Sequence, residues 1–303
     1  MRERERTFAV VDIGSNTVHL LVANTNGRSV VPIVDESEGL HLGWDVDSNG
    51  GISPEKVDEL VITLQRFQSL ASEAGVMELH LLATHALRAA GNGEEVREAI
   101  TGATFLQVQV VTPEQEATLA YVGAEAECPS IGPQVIVDIG GGSMQVTVGR
   151  DREIWDHVSM PLGAARLAAM YLPSDPPTPT EKTRLVTYLA TVIPPAVPCR
   201  EAVVTGLIGV GGTLRRVPQL LRLNTGQILP INVIGHGLTL LRHKHGEDLM
   251  AKYDIKPERS RLMLPALLVL REVLRCYNTP PLIISSFGMR EGAIIWLARH
   301  GTI

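Results

Sequence analysis

The sequence predicts an α/β protein of two lobes built to one plan, and three observations carry that expectation. Apolar, strand-like runs alternate with segments of helical periodicity along most of the chain. Twice an acid and a small-residue turn close an apolar run, as Asp12-Ile13-Gly14-Ser15 and as Asp138-Ile139-Gly140-Gly141, 126 residues apart, and each time another β-branched run follows. The length, 303 residues of which 45% are hydrophobic, supplies more apolar material than one core ordinarily organises, so a duplicated domain is favoured over a single one.

The elements follow in order. Thr7–Val11, Thr17–Ala23 and Ser29–Val34 read as a three-strand meander. Ser53-Pro54 offers an N-cap and an N1 proline, and Val57, Leu60, Val61, Leu64, Phe67 and Leu70 recur at helical spacing behind it. A strand over Leu79–Ala83, a helix over Glu94–Ile100, a strand over Phe105–Val111 and a helix opening near Pro113 continue the alternation. A second meander runs from Val135 through Gly140-Gly141-Gly142 to Val146–Val148 and Glu153–Met160. Helices are expected over Gly163–Tyr171, Thr180–Thr191, Gly212–Leu221, Glu258–Cys276 and Arg290–Arg299, with strands at Ala202–Ile208 and Leu282–Ser285. Pro173, Pro176, Pro177 and Pro179 mark a stiff surface loop. The expected division is residues 1–123, joined by a returning helix over 288–303, against residues 124–287, with an interdomain cleft that Asp12, Glu116, Asp138, Gly141 and Gly211 face.

Bulk properties narrow the function classes. A net charge of −6 gives no global reason to bind DNA, RNA or an anionic membrane. No apolar run is long enough to span a bilayer, and the charged start Met1–Arg6 runs into too short an apolar segment for a signal peptide. Cys128, Cys199 and Cys276 are odd in number and widely spaced, which argues against a disulfide framework or a zinc site and fits a reducing cytoplasm.

Four segments run from an apolar strand into small residues: Asp12–Thr17, Asp138–Ser143, Gly209–Thr213 and Ser285–Gly288. Glycine lets backbone N–H groups approach a ligand closely, and a turn of successive amides is a natural phosphate cradle. Any one of these could be a turn needing glycine for its own dihedrals; four, two of them with a strand-end acid, point to ligand binding at the carboxyl ends of strands. Asp12 and Asp138 suit a Mg2+ or Mn2+ site, since such an ion takes one or two carboxylates and fills its shell with water and substrate phosphate. Capping of the turn by a solvated aspartate is the alternative.

These residues resemble the exopolyphosphatase and guanosine pentaphosphate phosphohydrolase family, within the superfamily of actin, sugar kinases and heat-shock chaperones. The resemblance rests on Asp12–Thr17, Ala83–Arg88 with Asn92, Glu114–Ala117, Asp138–Ser143, Pro161–Gly163 with Arg166, Gly209–Thr213 and Met289–Gly292, in the family's order. It implies two ribonuclease H-like, actin-like ATPase lobes, and the length is similar to that of the family's short members. It implies Glu116 as the general base, Arg88 as a phosphate ligand, and Asp12 and Asp138 as metal ligands. Phosphate binding would fall to Gly14, Ser15, Asn16 and Thr17, to Gly140, Gly141, Gly142 and Ser143, and to Gly211, Gly212 and Thr213. The implied substrates are inorganic polyphosphate or guanosine pentaphosphate, the latter linking the chain to the stringent response, with a second copy of the chain as a homodimer partner and a cytoplasmic location.

Three positions depart from the family's pattern. Ser143-Met144-Gln145 stands where a glutamate usually ends the motif, so Gln145 presents a neutral amide to the metal face and weaker Mg2+ binding is expected. His41 stands where an arginine is common, and Gln115 replaces a frequent acid beside Glu116. Three functions therefore stay open: a phosphoanhydride hydrolase, a phosphate-chain-binding regulatory protein that turns over slowly, and a kinase on the same scaffold. His85 is expected to pack or hydrogen-bond.

Overall fold

The computed structural model describes residues 5–129, 132–224, 226–230, 232–241 and 246–303, so the first four residues of the charged N-terminal segment lie outside the described residues. The chain divides into two compact units, residues 1–126 with 289–303, and residues 127–288.

In the first unit, β1 (Arg6–Ile13), β2 (Val18–Thr25) and β3 (Val30–Glu38) form the antiparallel meander. Helices α1 (Leu42–Asn49) and α2 (Pro54–Glu73) follow, then β4 (Leu79–Ala83), α3 (His85–Ala89), α4 (Gly93–Thr104), β5 (Val108–Val110) and α5 (Pro113–Glu127). The sheet order is β3-β2-β1-β4-β5, with β4 and β5 parallel to β1. Alternation along β1 and β2 sends Ala9, Val11, Ile13, Leu20 and Val22 to one face, where they pack with Leu60, Leu64 and Phe67 of α2. The C-terminal helix, Met289–His300, packs on β1, β2 and β3.

The second unit repeats the plan. Strands β6 (Gln134–Ile139), β7 (Met144–Arg150) and β8 (Glu153–Met160) form a meander, followed by α6 (Ala164–Tyr171), α7 (Pro179–Val192), β9 (Gly206–Val210), a 3-10 turn at Leu214–Arg216 and α8 (Val217–Leu221). After these come β10 (Ile228–Leu229), α9 (Val233–Leu241), α10 (Gly246–Tyr253), α11 (Pro257–Cys276) and β11 (Leu282–Ile284). The order is β10-β11-β9-β6-β7-β8, with β9 parallel to β6 and β11 parallel to β9. The repeat extends to register, because Asp12 pairs with His19 as Asp138 pairs with Gln145.

Several expectations shift. Ser53 precedes α2 in extended conformation, but its hydroxyl donates to Asp45 Oδ2 at 2.5 Å and does not cap the helix. Helix α1 carried no sequence signal, since Leu42 is its one buried residue. The strand expected over Phe105–Val111 is confined to Val108–Val110, because Phe105 takes a left-handed conformation at the end of α4. The strand expected over Ala202–Ile208 begins only at Gly206, where pairing with β6 starts. Among the described residues, no helix is long and apolar enough to cross a membrane.

Candidate functional site

The two acid-glycine turns share a hydrogen-bond pattern. The Gly14 N–H donates to the Thr17 carbonyl at 3.2 Å, and the Gly140 N–H donates to the Ser143 carbonyl at 3.0 Å. Each turn then spends its carbonyls on the chain that follows. In the first unit, Gly43 N–H reaches the Ser15 carbonyl at 2.7 Å and His41 N–H reaches the Asn16 carbonyl at 3.1 Å. In the second, the carbonyls of Gly140, Gly141 and Gly142 accept from Ala164, from Ala165 and Arg166, and from Gly163, so they occupy the first N–H groups of α6. Those helix-end amides are thus engaged by the turn itself.

The consequence is directional. In a trans peptide the N–H points opposite to the preceding C=O, and none of the bonds in these turns is cis. With three consecutive carbonyls turned toward α6, the N–H groups of Gly141, Gly142 and Ser143 point the other way as a nest of successive donors. Asn16 and Thr17 have the same polarity in the first unit. A Cβ at Gly163 would lie 2.3 Å from the Gly141 carbonyl oxygen, so glycine is required for this close approach.

Asp12 and Asp138, both half-buried, end β1 and β6 beside these turns. Gly211, at φ +107°, brings the third glycine segment against the second: a Cβ there would stand 2.6 Å from the Ile139 carbonyl oxygen and 3.0 Å from Asp138 Oδ1. Glycine is therefore required for this close approach to the end of β6. Gly212 is exposed and Thr213 is buried at the start of the 3-10 turn. Two guanidinium groups that sequence reading passed over belong to this region: Arg259 Nη1 would lie 3.3 Å from a Cβ on Gly212, and Arg215 Nη2 3.6 Å from a Cβ on Gly288.

Glu116 lies in the first turn of α5, where Thr112 and Gln115 exchange hydrogen bonds in a capping box. That explains Gln115: an amide caps as well as an acid. Glu116 is only 7% exposed, and its Oε2 accepts from Arg88 Nη2 at 3.0 Å, while Arg88 Nη1 donates to the Val111 carbonyl at 2.6 Å. Arg88 thus braces Glu116, a pairing the sequence did not indicate. Burial pushes the Glu116 carboxyl above the ordinary glutamate range, and the Arg88 charge and hydrogen bond oppose that rise.

Gln145 is buried, with its amide nitrogen 3.0 Å from Ser143 Oγ and 3.3 Å from Ser159 Oγ, directly across the strand pair from Asp138. His41 Nδ1 lies 2.8 Å from Asn16 Oδ1, which ties it to the first turn. Among the described residues, no group of three or more His, Cys, Asp or Glu side chains forms a metal-ligand cluster. The donor set fits instead an ion bound by single strand-end carboxylates that completes its shell with water and phosphate.

Two α/β units with meander-plus-parallel sheets and glycine turns at the strand ends define an actin-like ATPase-type fold. Crystal structures of an exopolyphosphatase from Cytophaga hutchinsonii (TM-score 0.87, 24% identity, 98% of this chain and 99% of that one) and of an Aquifex aeolicus Ppx/GppA family member (TM-score 0.85, 24% identity, 99% and 100%) share it. The sequence profile of the Ppx/GppA phosphatase family matches residues 21–300, and the chain belongs to that family. It is similar to exopolyphosphatase 1 of Mycobacterium tuberculosis, 29% identical over 299 residues covering 95% of this chain and 87% of the relative. To exopolyphosphatase 1 of Mycobacterium leprae it is 29% identical over 303 residues, 95% and 88% of the two chains.

Proposed function

We propose that this chain releases terminal orthophosphate from inorganic polyphosphate by water attack, with guanosine pentaphosphate as a second substrate carrying the same anhydride. The observation that carries this reading is the Arg88–Glu116 pair: a nearly buried carboxylate held at 3.0 Å by a guanidinium that is itself anchored to the Val111 carbonyl. Family membership and the mycobacterial exopolyphosphatases support the substrate class.

Phosphoanhydride hydrolysis asks a protein mainly for orientation and charge stabilisation. Glu116 takes the proton of the attacking water, and its raised pKa makes it a stronger acceptor than a solvated glutamate. Arg88 fixes the carboxylate's direction. The outward N–H groups of Gly141, Gly142 and Ser143 hold phosphate oxygens without a side-chain entropy cost, and Arg215 and Arg259 add positive charge beside the third turn. Asp12 and Asp138 would hold a divalent cation such as Mg2+ or Mn2+, which supplies charge neutralisation on the phosphates when bound.

Gln145 favours a second reading, a phosphate-chain-binding regulatory protein with slow turnover, because its amide is committed to Ser143 and Ser159 and brings no charge to Asp138. Orthophosphate release from polyphosphate and from guanosine pentaphosphate, measured with Mg2+ and with Mn2+, separates the two. Multiple turnovers support the hydrolase; tight binding without release supports the regulator. We further propose a cytoplasmic homodimer, which light scattering of the purified chain tests for assembly.

A further inference from the structure

The Met289-Arg290-Glu291-Gly292 segment opens the C-terminal helix and has no part in the chemistry above, yet it is buried among groups that do. Arg290 and Glu291 are 6% and 3% exposed. Arg290 Nη1 lies 2.5 Å from Asp35 Oδ1 on β3, and its Nη2 lies 3.6 Å from Glu291 Oε1. Register places Asp12 on the same face of the sheet: Val10 pairs with Leu21 and Leu21 with Asp35, and Asp12 is two residues on from Val10. Asp12 is accordingly one of the acids whose field acts on the guanidinium, after Glu291 and Asp35.

The same helix fixes α5. A Cβ at Gly292 would stand 1.8 Å from the Leu119 carbonyl oxygen and 2.9 Å from the Gly123 nitrogen, so the two helices meet backbone to backbone. Leu119 is three residues from Glu116, within one helical turn. The C-terminal helix thus bears both on the strand that carries Asp12 and on the helix that carries Glu116.

We propose that Arg290 is a positioning residue for Asp12: anchored to Asp35 and Glu291, its guanidinium holds the end of β1 against the C-terminal helix and moderates the negative charge that Asp12 offers a cation. This rests on the proposed role of Asp12. The anchoring matters because a guanidinium free of Asp35 can swing toward Asp12 and compete with the cation, whereas one held by Asp35 cannot. The opposite change, removal of the guanidinium, leaves Asp12 with more charge for a cation but with its strand end less constrained.

Two single variants therefore move cation affinity in opposite directions. Mn2+ binding to the full chain, read by electron paramagnetic resonance of the free ion, is expected to tighten about 3- to 10-fold in Arg290→Met and to weaken by a similar factor in Asp35→Asn. Turnover of polyphosphate is expected to fall about 10-fold or more in Arg290→Met with KM changed less than kcat. A merely structural role for Arg290 predicts weaker Mn2+ binding together with slower turnover. Asp35 is half-exposed, so Asp35→Asn keeps the test decisive should Arg290→Met fail to fold. Unchanged Mn2+ affinity in Asp35→Asn, or shifts of the same sign in both variants, overturns the proposal while leaving the hydrolase reading intact. If the parent binds no Mn2+ through Asp12, as judged by Asp12→Asn, both the metal role and this inference fall.

Discussion

Removing Arg88 gives the sharpest physical test of the pairing with Glu116. The carboxylate's side chain is 10% exposed and the guanidinium's 23%, so Arg88→Ala leaves a nearly buried charge without its counterion. Breaking a buried pair on one side costs about 3–5 kcal/mol when the remaining charge stays ionised. Burial already holds the Glu116 proton more tightly in the folded chain than in the unfolded one, so this group favours folding at acid pH and loses that contribution as pH rises past the ordinary glutamate range. Without Arg88 the rise in pKa is no longer opposed and the loss extends further. The destabilisation is therefore largest at neutral pH. At acid pH, with Glu116 protonated, only the bond to the Val111 carbonyl and the packing of the arginine stem are forfeited, about 1–2 kcal/mol. Urea unfolding at both pH values, with Glu116→Gln and the double variant closing a cycle, measures this directly. A coupling of about 2–3 kcal/mol at neutral pH that shrinks on acidification is expected, together with movement of the acid limb of the Arg88→Ala rate profile to higher pH. An equal cost at both pH values and a coupling near zero would refute the account of the pair.

Other perturbations follow from the same geometry. Gln145→Glu places a carboxylate across the strand pair from Asp138 and should lower the Mg2+ concentration for half-maximal activity; coincident metal titrations would remove Gln145 from the metal face. Gly211→Ala must strain a backbone at φ +107° by about 1–3 kcal/mol and push a methyl toward Asp138, so both melting temperature and polyphosphate affinity should fall. Glu127 accepts from Ser285 Oγ at 2.5 Å, Ser286 N–H at 2.7 Å and Phe287 N–H at 3.2 Å; burial opposes its ionisation, but these hydrogen bonds hold its carboxyl below the ordinary range. The Glu127 contribution is thus present above the ordinary glutamate range and lost as pH falls through the depressed value, so Glu127→Ala should destabilise by about 2–4 kcal/mol at neutral pH and by less in acid, as thermal melts across pH will register.

Much of this architecture is legible in the sequence because the signals are local. Apolar, β-branched runs mark β1 and β6, the proline-led periodicity marks α2, and the acid-glycine pairs mark the strand ends. The bounds of β4 and β8 coincide with the expected ones for the same reason. What escapes is set by partners distant in the chain. Helix α1 is a polar segment docked on the first turn through Gly43 and Ser15. The Arg88–Glu116 brace joins residues 28 apart, and Gly211 meets Asp138 from another strand; neither leaves a trace in spacing or periodicity. The polarity of the turns was equally hidden: glycines announce close approach, but only the acceptors used by α6 reveal which way the amides face.

The central claim is that Glu116 activates water on a phosphate chain, and single-turnover hydrolysis of a defined-length polyphosphate by Glu116→Gln, measured beside equilibrium binding, tests it most directly. Glutamine keeps volume and hydrogen-bonding reach but accepts no proton, so the rate should fall about 10²- to 10⁴-fold while affinity stays within a few-fold of the parent. Hydrolysis at the parental rate would contradict the account.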